Sequence, residues 1–214
     1  MIFEQIAVGP FQCNCSIIGC EKTKEAIIID PGDEAETIIA LVQKHGLKPK
    51  YLLHTHAHLD HVGATKLVKD QCRGEICLHR DDQFLYDNVA MQASLFFLPT
   101  PPTTKVDQYV EEGDTLQFGK YKIEILHTPG HTPGSVTFYL VAENKPLLFT
   151  GDTLFLGSIG RTDLWGGDYA TILKSIKTKL FDFDAQTKVY PGHGPSTTIR
   201  HEKENNPFFG AKAR

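Results

Sequence analysis

The sequence predicts an α+β chain that folds as a four-layer α/β/β/α sandwich, two mixed sheets flanked by helices, with residues 1–214 forming one domain. Three observations lead there. Strand and helix signals follow in the order strands, helix, strand, helix, then strands, helix, strand. Apolar runs long enough for buried strands occur in both halves of the chain. The polar residues best suited to chemistry fall where such a strand ends in a Gly/Pro-rich turn, where a rigid sheet can aim a loop.

Ile2 to Val8 and Cys13 to Gly19 read as the first strands. Ala26 to Ile29 is a continuous apolar run ending at Asp30-Pro31-Gly32, the pattern of a strand buried on both faces. Asp33 and Glu36 have the spacing of a capping box opening a helix, with Ile38, Ile39, Leu41 and Val42 inward and its end near His45-Gly46. Tyr51-Leu52-Leu53 is a further buried strand, and Val62, Leu67 and Val68 predict a helix from Leu59 to about Asp70. Glu75 to His79 is a strand, followed by a helix near Asp81 to Ala93. Pro99-Thr100-Pro101-Pro102 then breaks regular structure. Two hairpins follow, Leu116 to Phe118 with Tyr121 to His127, and Val136 to Val141 with Leu147 to Thr150. Asp168 caps a helix that turns Ile172, Leu173, Ile176 and Leu180 to one face, and Val189-Tyr190 is the last strand expected.

Composition narrows the function classes. A net charge of −4 without a local Lys/Arg cluster argues against a nucleic-acid partner. No apolar run reaches transmembrane length, and the N-terminus lacks the regions of a signal peptide, so a cytoplasmic protein without a membrane partner is expected. The five cysteines, Cys13, Cys15, Cys20, Cys72 and Cys77, are odd in number and follow no framework spacing, which predicts reduced thiols. Cys13 and Cys15 share one face of a strand, where cysteine serves as a small hydrophobe.

The chemistry concentrates in His54-Thr55-His56-Ala57-His58-Leu59-Asp60-His61 and three later positions. These are His131 in Thr128-Pro129-Gly130-His131-Thr132-Pro133-Gly134, Asp152 in Thr150-Gly151-Asp152-Thr153, and His193 in Pro191-Gly192-His193-Gly194-Pro195. His56, His58, Asp60, His61, His131, Asp152 and His193 are the candidate metal ligands. Five imidazoles and two carboxylates exceed what one tetrahedral ion needs and suit two adjacent cations sharing a bridging carboxylate. His56 and His58 are two apart, so in extended backbone they point the same way, while Asp60 and His61 enter a helix and approach from another side. His54 and His127 each close an apolar strand, with a supporting hydrogen bond or a structural role equally open to them.

With these motifs the chain resembles the metallo-β-lactamase-fold superfamily, and within it the short, single-domain glyoxalase II-like bacterial hydrolases. Gly151-Asp152-Thr153-Leu154-Phe155 and Asn206-Pro207-Phe208-Phe209 are similar to segments of that group, as is Gly157-Ser158-Ile159-Gly160-Arg161-Thr162-Asp163. The resemblance implies that His56, His58 and His131 hold one metal, that Asp60, His61 and His193 hold the other, and that Asp152 bridges them. Asp60-His61 without a metal-site cysteine departs from many true β-lactamases, so antibiotic hydrolysis is not expected. Only 21 residues follow His193, against the helical glutathione-binding domain of full-length glyoxalase II.

The activity so implied is hydrolysis of a thioester such as S-D-lactoylglutathione or a related hydroxyacyl thioester by a hydroxide bridging two divalent ions. Such ions lower the pKa of a shared water from about 15.7 towards neutrality. Zinc is the default for this donor set, with iron or manganese as other fits. Asp60 is the candidate for orienting the nucleophile. Arg161 is the candidate for binding a substrate carboxylate, against a structural pairing with Asp163 or Asp168. The rival activity is that of a mononuclear iron persulfide dioxygenase using His56, His131 and Asp152 alone. The sequence leaves the oligomeric state open.

Overall fold

The computed structural model describes residues 1–209. In chain order the elements are β1 (Ile2–Val8), β2 (Cys13–Gly19), β3 (Glu25–Ile29), α1 (Ala35–Lys44), β4 (Lys48–Leu53), α2 (Leu59–Val62), α3 (Thr65–Cys72) and β5 (Glu75–His79). There follow α4 (Gln83–Asp87), α5 (Val89–Leu95), β6 (Gln108–Val110), β7 (Thr115–Phe118), β8 (Tyr121–His127), β9 (Val136–Ala142) and β10 (Lys145–Gly151). The chain continues through β11 (Leu154–Phe155), β12 (Ser158–Ile159), α6 (Tyr169–Ser175), β13 (Lys188–Pro191), β14 (Thr197–Thr198) and α7 (Ile199–Asn205).

The two six-stranded sheets have the orders β1-β2-β3-β4-β5-β6 and β14-β13-β10-β9-β8-β7. Both are mixed: β3, β4, β5 and β6 run parallel, as do β10 and β13, and the other pairings are antiparallel. Ile27, Ile29 and Leu53 of the first sheet pack with Ile123, Ile125, Phe138 and Phe149 of the second in one buried cluster, so the main core lies between the sheets. Each such side chain contributes about 1.5–3 kcal/mol by leaving water. Outside the first sheet, Ile38, Val42 and Val68 of α1 and α3 cover Ile28, Leu52 and Ile76. Outside the second, Ile172 and Ile199 of α6 and α7 cover Leu148 and Val189. The expected α/β/β/α layering is therefore observed.

Five strands of this sandwich end on the same side. β3 and β4 are parallel, as are β10 and β13, and β8 runs with β10 because both pair antiparallel with β9. The two sheets are stitched together at that side. Asn14 N–H donates to Gly192 O at 2.7 Å, and its side-chain amide donates to Pro191 O and Gly194 O at 3.0 and 2.8 Å. Val136 N–H donates to Thr55 O at 2.7 Å.

Several local expectations are corrected. The capping box on α1 is not made: Glu34 occupies the cap in the left-handed region at φ 50°, and its carboxylate accepts instead from Gly9 N–H at 3.1 Å. The helix expected from Leu59 to Asp70 breaks at Gly63-Ala64, where the chain passes so close to Gly32 that a Cβ on Gly63 would lie 2.6 Å from Gly32 O. The one near Asp81 to Ala93 is split at Asn88, whose side chain donates to Phe84 O at 2.7 Å. The second hairpin turns on Glu143-Asn144 alone, both at positive φ, as a tight two-residue connection requires. Val189-Tyr190 is not the last strand, since β14 and α7 follow. The Asp168 cap is formed, its carboxylate accepting from Thr171 N–H at 2.7 Å. Among the described residues no helix is long and apolar enough to cross a membrane.

Candidate metal centre

All seven predicted side chains meet at the side where the five strands end. β4 runs into His54–His61, β8 into the turn carrying His131, β10 into Asp152 and β13 into His193. They fall into two groups of three. Nε2 of His56 and Nε2 of His131 lie 3.1 and 2.9 Å from His58 Nδ1. In the second group His61 Nε2 and His193 Nε2 are 3.3 Å apart, and Asp60 Oδ2 lies 3.2 Å from His193 Nε2 and 3.6 Å from His61 Nε2. Asp152 stands between: Oδ1 is 3.4 Å from His61 Nε2, and Oδ2 is 3.6 Å from both His131 Nε2 and His193 Nε2.

The outer nitrogens decide what the inner ones can do. His131 Nδ1 donates to Arg161 O at 2.7 Å, and His193 Nδ1 to Phe11 O at 3.0 Å. His61 Nδ1 donates to Asp30 Oδ2 at 3.0 Å. His56 Nδ1 donates at 3.1 Å to Thr55 Oγ1, whose own proton goes to Asp30 Oδ2 at 2.7 Å. Four imidazoles are thus fixed in the tautomer that presents an Nε2 lone pair inward. Lone pairs and carboxylate oxygens then face one another at hydrogen-bond distance with too few protons between them. Buried Asp152 Oδ1 has no hydrogen-bond partner among the described residues. Such a convergence of acceptors is stable only around positive charge, and its nitrogen and oxygen donors fit divalent metals.

Protonation differs between the halves. Burial, reinforced by His131, pushes His58 down to about 3, and burial with neighbouring imidazoles holds His56 well below its ordinary value. Both are neutral at physiological pH, as ligands must be. At His61 burial opposes charge, yet Asp60, Asp152 and Asp30 around it raise its affinity for a proton well above the ordinary value. His193 shifts the same way: burial again opposes, and the bond to Asp60 prevails. Asp60 is itself held low by His61 and His193 against its own burial. The acidic half therefore attracts cations more strongly than the all-imidazole half.

Three residues outside the predicted ligand set, Asp30, Asp82 and Gln92, brace these ligands. Asp30 ends β3 at φ 51° and accepts from Thr55 N–H at 2.8 Å, from Thr55 Oγ1 and from His61. Asp82 is fully buried and ties the two histidine turns together, accepting from Ala57 N–H, Thr132 Oγ1 and Gly134 N–H at 2.9, 2.8 and 2.6 Å. Gln92 accepts from Leu59 N–H at 2.9 Å and donates to Ala57 O at 3.1 Å. Asp30 left a trace in the sequence, a carboxylate ending an apolar strand like the candidate ligands themselves. Asp82 and Gln92 left none. Gly192 leaves the space that Asp152 fills, since a Cβ there would lie 2.3 Å from Asp152 Oδ1 and 2.8 Å from the His61 ring.

The remaining expectations resolve individually. His54 is buried and pushed down to about 4 by desolvation, with Nε2 3.3 Å from Thr65 Oγ1 behind the site. His127 donates to Pro133 O at 2.8 Å and stacks on His79 with ring centroids 4.1 Å apart, away from the seven ligands. Cys13 and Cys15 are both buried on one strand face, and Cys13 Sγ lies 3.5 Å from His61 Nδ1. Arg161 forks onto Asp163, with Nε and Nη2 donating to its two oxygens at 2.7 and 2.8 Å. Arg161 is also among the residues lining a 290 Å³ cavity beside the ligands, with Phe11, Phe96, Leu164 and Trp165.

Comparison with known proteins agrees with this geometry. A sequence profile of the Metallo-beta-lactamase superfamily matches residues 8–193. The hydroxyacylglutathione hydrolase GloC of Haemophilus influenzae is 44% identical over 215 aligned residues, spanning 100% of both chains. Among solved structures, the BLEG-1 B3 metallo-beta-lactamase superposes with a TM-score of 0.86 at 39% identity, covering 97% of this chain and 99% of that one. The TTHA1623 protein in a di-iron-bound form gives 0.85 at 39% identity over 96% and 100%. With its sandwich, its strand-end histidines and a profile match across most of its length, the chain belongs to the metallo-beta-lactamase superfamily.

Proposed function

We propose that this protein is a binuclear metal hydrolase acting on a thioester, such as S-D-lactoylglutathione or a related hydroxyacyl thioester. One observation carries the binuclear part: Asp152 offers one oxygen towards His61 and the other towards His131 and His193, so a single carboxylate reaches both groups. The name of the 44% identical relative supports the thioester. Zinc is the first choice for five imidazoles, and the di-iron neighbour keeps iron in view. When bound, two such ions supply hydroxide at neutral pH without a strong side-chain base.

The chain's own groups do the rest. Asp60 is only partly covered and lines the cavity, placed to accept a hydrogen bond from the attacking oxygen and so orient its lone pair towards the acyl carbon. Addition of that oxygen and loss of the C–S bond give a carboxylate and a thiol. Arg161 lines the same cavity and, by exchanging Asp163, receives the carboxylate of an anionic substrate.

Elemental analysis of metal-replete protein should return two ions per chain, and thioester absorbance should disappear on addition of enzyme. No turnover of any acyl thioester by fully metallated protein would sink the proposal, as would turnover of a β-lactam alone. Saturation at one iron, with activity indifferent to His58→Ala and His61→Ala, would transfer the assignment to the persulfide dioxygenase class. For Arg161→Ala the expected result is a KM about tenfold higher for anionic thioesters, with kcat and metal content retained. An equal loss on charged and neutral substrates, with a lower Tm, would make the residue structural.

A further inference from the structure

Beside the metal centre lies a second cavity, a 340 Å³ groove that shares Phe11, Leu59 and Asp60 with the first. Its far wall is made by Val8, Ala35, Ala64 and Leu67, and Leu98 to Pro102 form its roof. No lysine or arginine lines it, and its ionisable side chains are Asp33 and Asp60. Leu67 on α3 leaves 47% of its surface exposed there, on a helix that otherwise turns its apolar residues inward. Phe11 stands at the junction, edge-on to Phe96 with centroids 5.2 Å apart.

This chemistry selects one arm of a thioester. An anionic arm would meet the Asp33 carboxylate and no lysine or arginine in the groove. The thiol halves of soluble thioesters, peptides and pantetheine among them, are rich in amides that would lose water and find only the Thr100 hydroxyl as an uncharged polar side chain here. An acyl chain has neither cost, and the volume falls within the range of small-ligand pockets, about 300–1,000 Å³. We propose that the groove beyond Phe11, Leu59 and Asp60 is an acyl-chain subsite, so that beside short hydroxyacyl groups the protein takes medium-length apolar acyl groups, which bind more tightly than apolar ones of two or three carbons. The proposal rests on the thioester reading for its substrate, while binding in the groove stands apart from the chemistry.

The test separates the two. Calorimetric titration with alkyl ketones, in which a methylene replaces the thioester sulfur, reads binding without hydrolysis. Lengthening the alkyl arm from two to eight carbons should tighten Kd about fourfold per methylene until the groove is full. Leu67→Glu puts a charge on the exposed wall, and Thr100→Trp fills the space from an exposed roof position. Either should flatten this length dependence, and two surface variants guard against one failing to fold. A Kd indifferent to chain length, or a slope that survives both variants, overturns the subsite. So does a self-associated protein that Leu67→Glu converts to monomers in sedimentation, since the groove would then be an interface. Length-dependent binding with no hydrolysis of the matching thioesters keeps the subsite and removes the thioester reading alone.

Discussion

Asp152→Ala is expected to abolish both metal occupancy and hydrolysis. The carboxylate lies within 3.6 Å of ligand nitrogens from both groups, and its buried Oδ1 has no other partner among the described residues. Removing it leaves three imidazoles on one side, and on the other two imidazoles with Asp60. Each ion loses a ligand and the two lose their common negative charge. A fall in kcat/KM on the order of 10³-fold, equivalent to ~4 kcal/mol of barrier, is expected. Elemental analysis and turnover measured on the same preparation check it. Two ions retained at full occupancy would mean that Asp152 does not join them.

The second large effect is expected at a residue that touches no substrate. Asp30→Ala removes the acceptor for Thr55 N–H, Thr55 Oγ1 and His61 Nδ1, all buried. Each orphaned donor costs about 1–3 kcal/mol, so a loss of at least ~3 kcal/mol in unfolding free energy is expected. His61 also becomes free to take the wrong tautomer. A residue supporting a ligand in this way typically controls 10–100-fold in metal affinity, roughly the range expected here. Asp30→Asn separates the two consequences, because its amide fills the space and keeps one acceptor oxygen. Competition with a chelator should find its metal affinity lowered while its urea midpoint recovers most of the loss. An Asp30→Ala protein with unchanged midpoint and metal affinity would refute this role.

How much could be read beforehand depended on the range of the interaction. Ile27, Ile28 and Leu52 announce buried strands through an apolar run, because the β period and burial act on near neighbours. The seven ligands announce themselves by residue type and by the turns that hold them. Asp82 and Gln92 are invisible for the opposite reason. Asp82 is 25 residues from Ala57 and 50 from Thr132, and an aspartate beside Asp81 gives no sign of the distant donors it will accept. The failed box on α1 has a local cause: Asp33 accepts from the adjacent Glu34 N–H at 2.6 Å, and the helix starts one residue later than the box requires. β14 and α7 were missed because two-residue Thr197–Thr198 is too short to show a period.

The stitching of β2 to the last strands has a consequence for biosynthesis. Cys13 bridges His193 across the two sheets, and Asn14 holds Gly192 and Gly194 in place. Residues of β2 are therefore completed by residues that leave the ribosome much later, a contact of very high sequence separation that is slow to form. Until His193 is made, the chain can already bring together His56, His58, His131 and Asp152, but the group of Asp60, His61 and His193 is incomplete. Of the two ligand groups, the one containing His193 therefore forms late, and it waits on the docking of β2 against the strand that carries His193.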